Sequence, residues 1–305
     1  MKNGILVVHK PEGLSSARVV ARVKKILGAK KLGHTGTLDP FATGVLLCAV
    51  NKGTRISRFF LGGDKQYKAQ IRLGAKTDTY DRTGRIVETV SNAVMGRLHP
   101  DTVYSVVASF RGVQKQIPPV YSALKHEGQP LYKLARNGIK VEKPARQIEI
   151  HEISITKIDL PVIDVTVDCS SGTYIRSIAH DIGEKLGCGA HLAELCRIRS
   201  GSFALDDAVG LDMLEAMGRT RAEQEIVPLS DCLSFLPKKV MSPDLVAKIR
   251  HGQPLTVDDI GETAVRCTSD ADPSVRLVDD NNTLLAVVHL PEKSRTYNYS
   301  CVFAS

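Results

Sequence analysis

An α+β fold with a small β-rich C-terminal domain is predicted for this 305-residue chain by three patterns in its sequence. Two stretches alternate apolar and polar residues with the period of half-buried strands. KQYKAQIRLG (65–74) puts Tyr67, Ala69, Ile71 and Leu73 on one face, and IDVTVDC (163–169) alternates in the same way. Two other stretches place apolar residues at helical spacing ahead of a glycine stop. After LSFLPKKVMSP (233–243) the chain changes to short apolar runs such as VRLVDD and LLAVVHL, which mark the terminal domain.

Taken in order, GILVVHK (4–10) reads as a short buried strand ended by the Pro11-Glu12-Gly13 turn. Ser15 or Ser16 then caps a helix running to about Gly28, with Val19, Val20, Val23, Ile26 and Leu27 on one side. Arg18, Arg22, Lys24 and Lys25 fall largely elsewhere on that helix. GHTGTLDPFATGVL (33–46) is a loop that runs into the apolar strand VLLCAV (45–50). Its one carboxylate, Asp39, is thus held between a helix and a strand, where catalytic groups are often placed. QIPPVYSALKHEGQPLYKLARNGIKVEKPARQ (116–147), rich in Pro, Gly, Tyr and base, reads as an excursion from the sheet. Beyond the Ser170-Ser171-Gly172 turn, Ile175, Ile178, Ala179, Ile182 and Leu186 form the stripe of a helix stopped at Gly187.

At 43% hydrophobic content the chain is globular and long enough for one large domain plus a small one. No apolar run approaches the roughly 18 residues that span a bilayer. The N-terminus reaches a Lys-Pro-Glu-Gly turn too early for a secretory signal, so a cytoplasmic protein is expected. The seven cysteines (Cys48, Cys169, Cys188, Cys196, Cys232, Cys267 and Cys301) are scattered and read as reduced thiols. Net charge is +8, and all of the excess lies in residues 1–60, where eleven Lys/Arg face only Glu12 and Asp39. A field of this kind attracts polyanions, nucleic acid first.

Several chemistries find no support. Cys188, His191 and Cys196 are close in sequence but fit no common zinc spacing, so packing is expected of them and no metal. There is no Gly-x4-Gly-Lys-Ser/Thr loop and no Gly-x-Ser-x-Gly elbow. DTYDRTGR (78–85) lacks the acid spacing of a calcium loop and reads as a turn. Arg176 is more telling, because a cation in the first turn of a helix opposes the macrodipole by about 0.3–1 kcal/mol and calls for a nearby anion. The residues alone leave Tyr67 open between core aromatic and site residue, and His34 between loop hydrogen-bonder and active group.

The combination of motifs resembles the pseudouridine synthases of the TruB type. GHTGTLDPFATGVL is similar to that family's catalytic motif, and HKPEGLSS (9–16) to its N-terminal Lys-Pro-x-Gly-x-(Thr/Ser)-Ser motif. DKQYKAQIRLG (64–74) resembles its tyrosine-bearing strand, and SSGTYIRSIAHDIG (170–183) its arginine-bearing helix. GAHLAELCRIRSGSF (189–203) resembles the segment that follows. The five blocks stand in family order. The chain departs from the pattern at His9, often Asp, at Ser15, often Thr, and at Cys196, frequently arginine.

The resemblance implies a pseudouridine synthase fold over residues 1–237, a central mixed, mainly antiparallel sheet flanked by helices. A PUA-like RNA-binding domain is implied at 238–305, and an RNA-gripping insertion at about 116–147. It implies isomerisation of uridine at position 55 in the T-loop of tRNA, by a monomer with no cofactor, no metal and no obligate protein partner. Asp39 becomes the nucleophile and Arg176 the partner that favours its ionised form. Tyr67 stacks on the flipped base and its hydroxyl assists proton removal at C5. Tyr174 and Leu195 complete the pocket, and His34 contacts the nucleotide near the flip. Lys10, Arg18, Arg22, Lys125, Arg136, Arg197 and Arg199 are implied phosphate contacts. One carboxylate can suffice because the departing base is itself the acceptor, whereas ordinary glycoside hydrolysis generally uses two with water. The alternatives are a guide-RNA-dependent subunit, whose relatives lack such an insertion, and an RNA-binding or RNA-folding protein that needs no catalysis.

Overall fold

The structure is a computed structural model that describes residues 2–139, 141, 143–261, 273–291 and 294–304. Seven strands form the spine of an 11-stranded sheet: β1 (Gly4–Lys10), β2 (Thr43–Val50), β3 (Lys65–Leu73), β4 (Gly112–Gln116), β5 (Arg146–Asp159), β6 (Val162–Cys169) and β7 (Ala190–Ser200). Their order across the sheet is β1-β2-β7-β3-β6-β5-β4. Every neighbouring pair is antiparallel except β2 with β7, so the sheet is mixed and mainly antiparallel, as expected. Tyr67, on the central strand β3, stands opposite Val167 of β6 and Arg197 of β7.

The parallel contact depends on one glycine. Gly44 has φ +103°, and a Cβ there would lie 2.2 Å from the Arg197 carbonyl oxygen. No other residue allows β2 and β7 to approach so closely.

Four helices cover the sheet: α1 (Ser16–Leu27), α2 (Pro100–Ala108), α3 (Ile175–Lys185) and α4 (Leu211–Ala222). The choice between the two serines is settled by division of labour. Ser15 caps α1 by accepting from the Arg18 N–H at 3.3 Å, while Ser16 turns inward, and Gly28 ends the helix in the left-handed region. Val19, Val23 and Leu27 of α1 pack with Leu6, Val8 and Leu46 of the sheet and Leu214 of α4. On the other half, Ile175, Ile178, Ala179 and Ile182 of α3 bury against Ile71, Val165 and Leu192. The 116–147 excursion leaves the sheet at the end of β4 and returns at the start of β5. It carries a two-strand pairing, Lys125–His126 with Gln129–Pro130, and a helix Leu131–Arg136.

Among the described residues, a second, five-stranded sheet runs from Lys238 to Val302 and forms the β-rich terminal domain. Its own core includes Met241, Ile249, Leu255, Val275 and Val288. Its inner face is not separate from the first sheet. Val278, Leu284, Val287, Cys301 and Phe303 join Ile5, Val7, Val45, Leu47 and Phe60 in one cluster. Lys52 and Arg55 donate to the carbonyls of Phe303 and Val302 across the same junction. The six cysteines among the described residues are free thiols, and Cys267 lies outside those residues. No helix of the described residues is long and apolar enough to cross a membrane.

Candidate active site

The loop bearing Asp39 is fixed from three directions. The Ser16 hydroxyl accepts from the Leu38 N–H at 2.9 Å and donates to the Leu38 carbonyl at 3.1 Å. The Gly13 N–H donates to the Pro40 carbonyl at 2.8 Å. Lys10, fully buried, donates its ammonium to the carbonyls of Pro11, Pro40 and Ala42 at 2.8, 3.1 and 2.6 Å. Asp39 is thus gripped through the residues on both sides of it, and Pro40 restricts its backbone toward extended conformations.

Arg176 meets the anion its helix position demands. Its Nε lies 2.9 Å from Asp39 Oδ2, and Nη2 donates to Asp39 Oδ1 at 3.3 Å. Nη1 lies 3.4 Å from Asp81 Oδ2 and donates to the Thr79 carbonyl at 3.0 Å; Nη2 also donates to the Tyr121 carbonyl at 2.8 Å. The guanidinium is buried between two carboxylates and two carbonyls, a geometry in which a charge can be taken out of water. Asp81 is the residue that sequence reasoning missed. DTYDRTGR is a turn, as expected, but Asp81 is buried inside it. Its Oδ1 accepts from Thr79 Oγ1, the Thr83 N–H and Thr83 Oγ1 at 2.9, 2.9 and 2.6 Å. Turn chemistry hid its second carboxylate oxygen, which faces Arg176.

The root of the excursion is built into the same place. The Gln116 side chain donates to the Tyr174 carbonyl at 3.0 Å and accepts from the Tyr174 N–H at 2.8 Å. Tyr174 is the N-cap residue of α3, so this amide fixes the helix end that carries Arg176.

Asp39, Tyr67, Tyr174, Arg176 and Leu195 all line one cavity of about 300 Å³. That lies at the small end of the ligand-pocket range, about 300–1,000 Å³. Asp39 keeps 32% of its side chain exposed there. Burial raises its carboxyl above the ordinary value; Arg176 pulls it back, Asp81 pushes it up, and Lys10 opposes. Burial likewise raises the Tyr67 phenol, with Arg197 opposing. Burial thus favours the protonated hydroxyl.

Several implied phosphate contacts have other partners. Lys10 is shut inside the loop, as described. Arg197 is almost fully buried and donates to the carbonyls of Val45 and Gly36 at 2.7 and 3.1 Å, stapling β7 to β2 and to the Asp39 loop. Arg22 is bidentate with Glu215 of α4 at 3.0 and 2.7 Å. Arg199 donates to Asp168 Oδ2 at 2.6 Å. Arg18 and Lys125 are exposed, and the side chain of Arg136 lies outside the described residues. His34 is not among the residues lining the cavity. It is half-buried beside Arg197, and burial foremost, then Arg197, lowers its pKa and keeps it neutral. His191 donates Nδ1–H to the Ala75 carbonyl at 2.9 Å, a packing role as expected.

A cavity lined by a buried tyrosine, with one accessible carboxylate paired to a buried arginine, defines a carboxylate-centred site of the kind enzymes use. The model of the TruB family pseudouridylate synthase N-terminal domain matches residues 24–175, and that of the tRNA pseudouridylate synthase B C-terminal domain residues 176–236. The tRNA pseudouridine synthase B of Geobacter sulfurreducens is 46% identical over 259 residues, 85% of this chain and 84% of that one. Those of Syntrophotalea carbinolica and Nitrosococcus oceani are 40% and 38% identical, covering 96% and 99% of this chain and 94% and 95% of theirs. Among solved structures, a Cbf5-Nop10-Gar1 complex matches with a TM-score of 0.73 and 28% identity, covering 99% of this chain and 85% of that one. The chain belongs to the TruB family of pseudouridylate synthases.

Proposed function

We propose that this protein isomerises uridine to pseudouridine in the T-loop of tRNA, at position 55, with Asp39 as nucleophile. The observation that carries the reading is the Asp39–Arg176 pair, opening into a cavity of about 300 Å³ that also holds Tyr67. The target base leaves its stack, which costs a few kcal/mol, and is received on Tyr67 with Leu195 and Tyr174 around it. Asp39 acts ionised. The N-glycosidic bond breaks, the uracil turns in place and a bond forms from C5 to the ribose carbon; C5 loses its proton, N1 gains one, and the bond made by Asp39 is broken again before the product leaves. Arg176 balances the carboxylate charge and gives it a fixed direction.

The excursion at 116–147 grips the RNA, with exposed Lys125 and Arg18 meeting phosphates. The terminal sheet is a PUA-like RNA-binding domain. The enzyme works as a cytoplasmic monomer with no obligate protein partner.

An unmodified tRNA transcript carrying tritium at uracil C5 tests the reaction, because isomerisation releases the label. The purified chain alone should release it from position 55, and Asp39→Ala should release none. Release that persists in Asp39→Ala defeats the proposal. The Cbf5-containing neighbours favour a second reading, a subunit that needs other proteins. Relatives at 38–46% identity whose names are tRNA pseudouridine synthase B weigh against it. Activity of the isolated chain on tRNA excludes it.

A further inference from the structure

We infer that Arg146 is a phosphate-binding residue of the active-site cavity, placed to hold a phosphodiester next to the flipped nucleotide. This rests on the proposed RNA substrate and deepens it.

Arg146 opens β5, where the excursion returns to the sheet, and lines the same cavity as Asp39. Among the described residues, four cations line that cavity, Lys65, Arg146, Arg176 and Arg197, against the one carboxylate of Asp39. Three of the four are already engaged. Arg176 holds Asp39 and Asp81, and Arg197 donates to two carbonyls. Lys65 donates to the carbonyls of Phe60, Leu61 and Gly63. Arg146 is different. Among the described residues it has no ion pair and no hydrogen-bond partner for its side chain, and its Nε is buried without one.

The guanidinium is nonetheless held in place. Its Cζ lies 4.7 Å from the centroid of the Tyr174 ring. It also meets Gly172, where a Cβ would come within 3.3 Å of Cζ. A planar cation stacked on an aromatic, partly removed from water and left without an anion is costly unless a ligand supplies one. Uracil is neutral and cannot. A phosphate can, and the arginine fork matches its oxygens. Tyr174 then serves twice, as a wall for the base and as the platform for the residue that holds the backbone.

The test uses a T-stem-loop RNA tritiated at C5 of the target uridine, with the phosphate on its 5′ or 3′ side replaced singly by a neutral methylphosphonate. The unsubstituted RNA comes first. If the intact chain releases no tritium from it, the proposed function fails and this inference falls with it. Given release, Arg146→Met should lower kcat/KM about 10- to 100-fold, the worth of a charge-assisted hydrogen bond. One of the two methylphosphonates should cost the unaltered protein a similar factor and cost Arg146→Met nothing further. Arg146→Lys, which keeps the charge and loses the fork, should fall between. Should Arg146→Met fail to fold, the smaller methylphosphonate penalty in Arg146→Lys carries the same comparison. The inference is overturned if Arg146→Met keeps full kcat/KM, or if the unaltered protein is indifferent to both substitutions. It is also overturned if the penalty is undiminished in both variants.

Discussion

Asp39 sits where burial and charge nearly oppose each other, and its neighbours set the balance. Burial raises the carboxyl, Lys10 lowers it and Asp81 raises it. The proposed reaction needs the carboxylate, which is present above its pKa and lost as pH falls through it. The acid limb of the single-turnover rate should therefore lie above the ordinary carboxylate range. Lys10→Met should move its midpoint to higher pH, and Asp81→Asn to lower pH, whatever each does to the plateau. Tritium release followed from pH 4 to 8 reads both shifts, and movement in one common direction contradicts the electrostatic account. Gly44 makes a second residue-scale prediction. Gly44→Ala adds strain at a positive φ and drives a methyl into the Arg197 carbonyl. It should cost about 2–4 kcal/mol in a denaturant titration.

Elements were legible where short-range rules govern them. Ser15, Gly28 and the Val19-Val23-Leu27 spacing bound α1 without reference to anything distant. The alternation of 65–73 placed Tyr67 on the inner face of β3. Partners from far along the chain were not legible. Arg22 reads as a free cation on a basic helix, yet its partner Glu215 lies 193 residues away. Lys10 and Arg197 are phosphate contacts by resemblance, because neither charge nor spacing reveals that backbone carbonyls will converge on them. Asp81 reads as a turn former, which it is, but a carboxylate has two oxygens and the turn uses only one. The same distinction predicts how α1 meets RNA. Arg18→Ala and Lys25→Ala should each flatten the dependence of log affinity on log salt by about 0.7–0.9. Arg22→Ala should leave the slope unchanged and have little effect on stability, as expected of an exposed pair. Filter binding of tRNA across a salt series separates the three.

Across the whole molecule, the terminal sheet and the main sheet share a core. A sequence pattern can mark where strands resume, but it cannot show that Phe303 packs with Ile5 and Val7. The two parts should therefore unfold together. Phe303→Ala should remove about 3–5 kcal/mol, and the altered chain should still melt in one transition rather than two. Calorimetric and van't Hoff enthalpies that disagree would show the parts to be independent. The root of the excursion has a comparable reach. The Tyr121 carbonyl binds the guanidinium that faces Asp39, and Gln116 holds the end of α3. On the proposed function, anyone redesigning which RNA this scaffold accepts can exchange the distal arm, but residues 116–122 must stay, because there the proposed substrate-selecting arm and the Asp39–Arg176 centre share one stretch of chain.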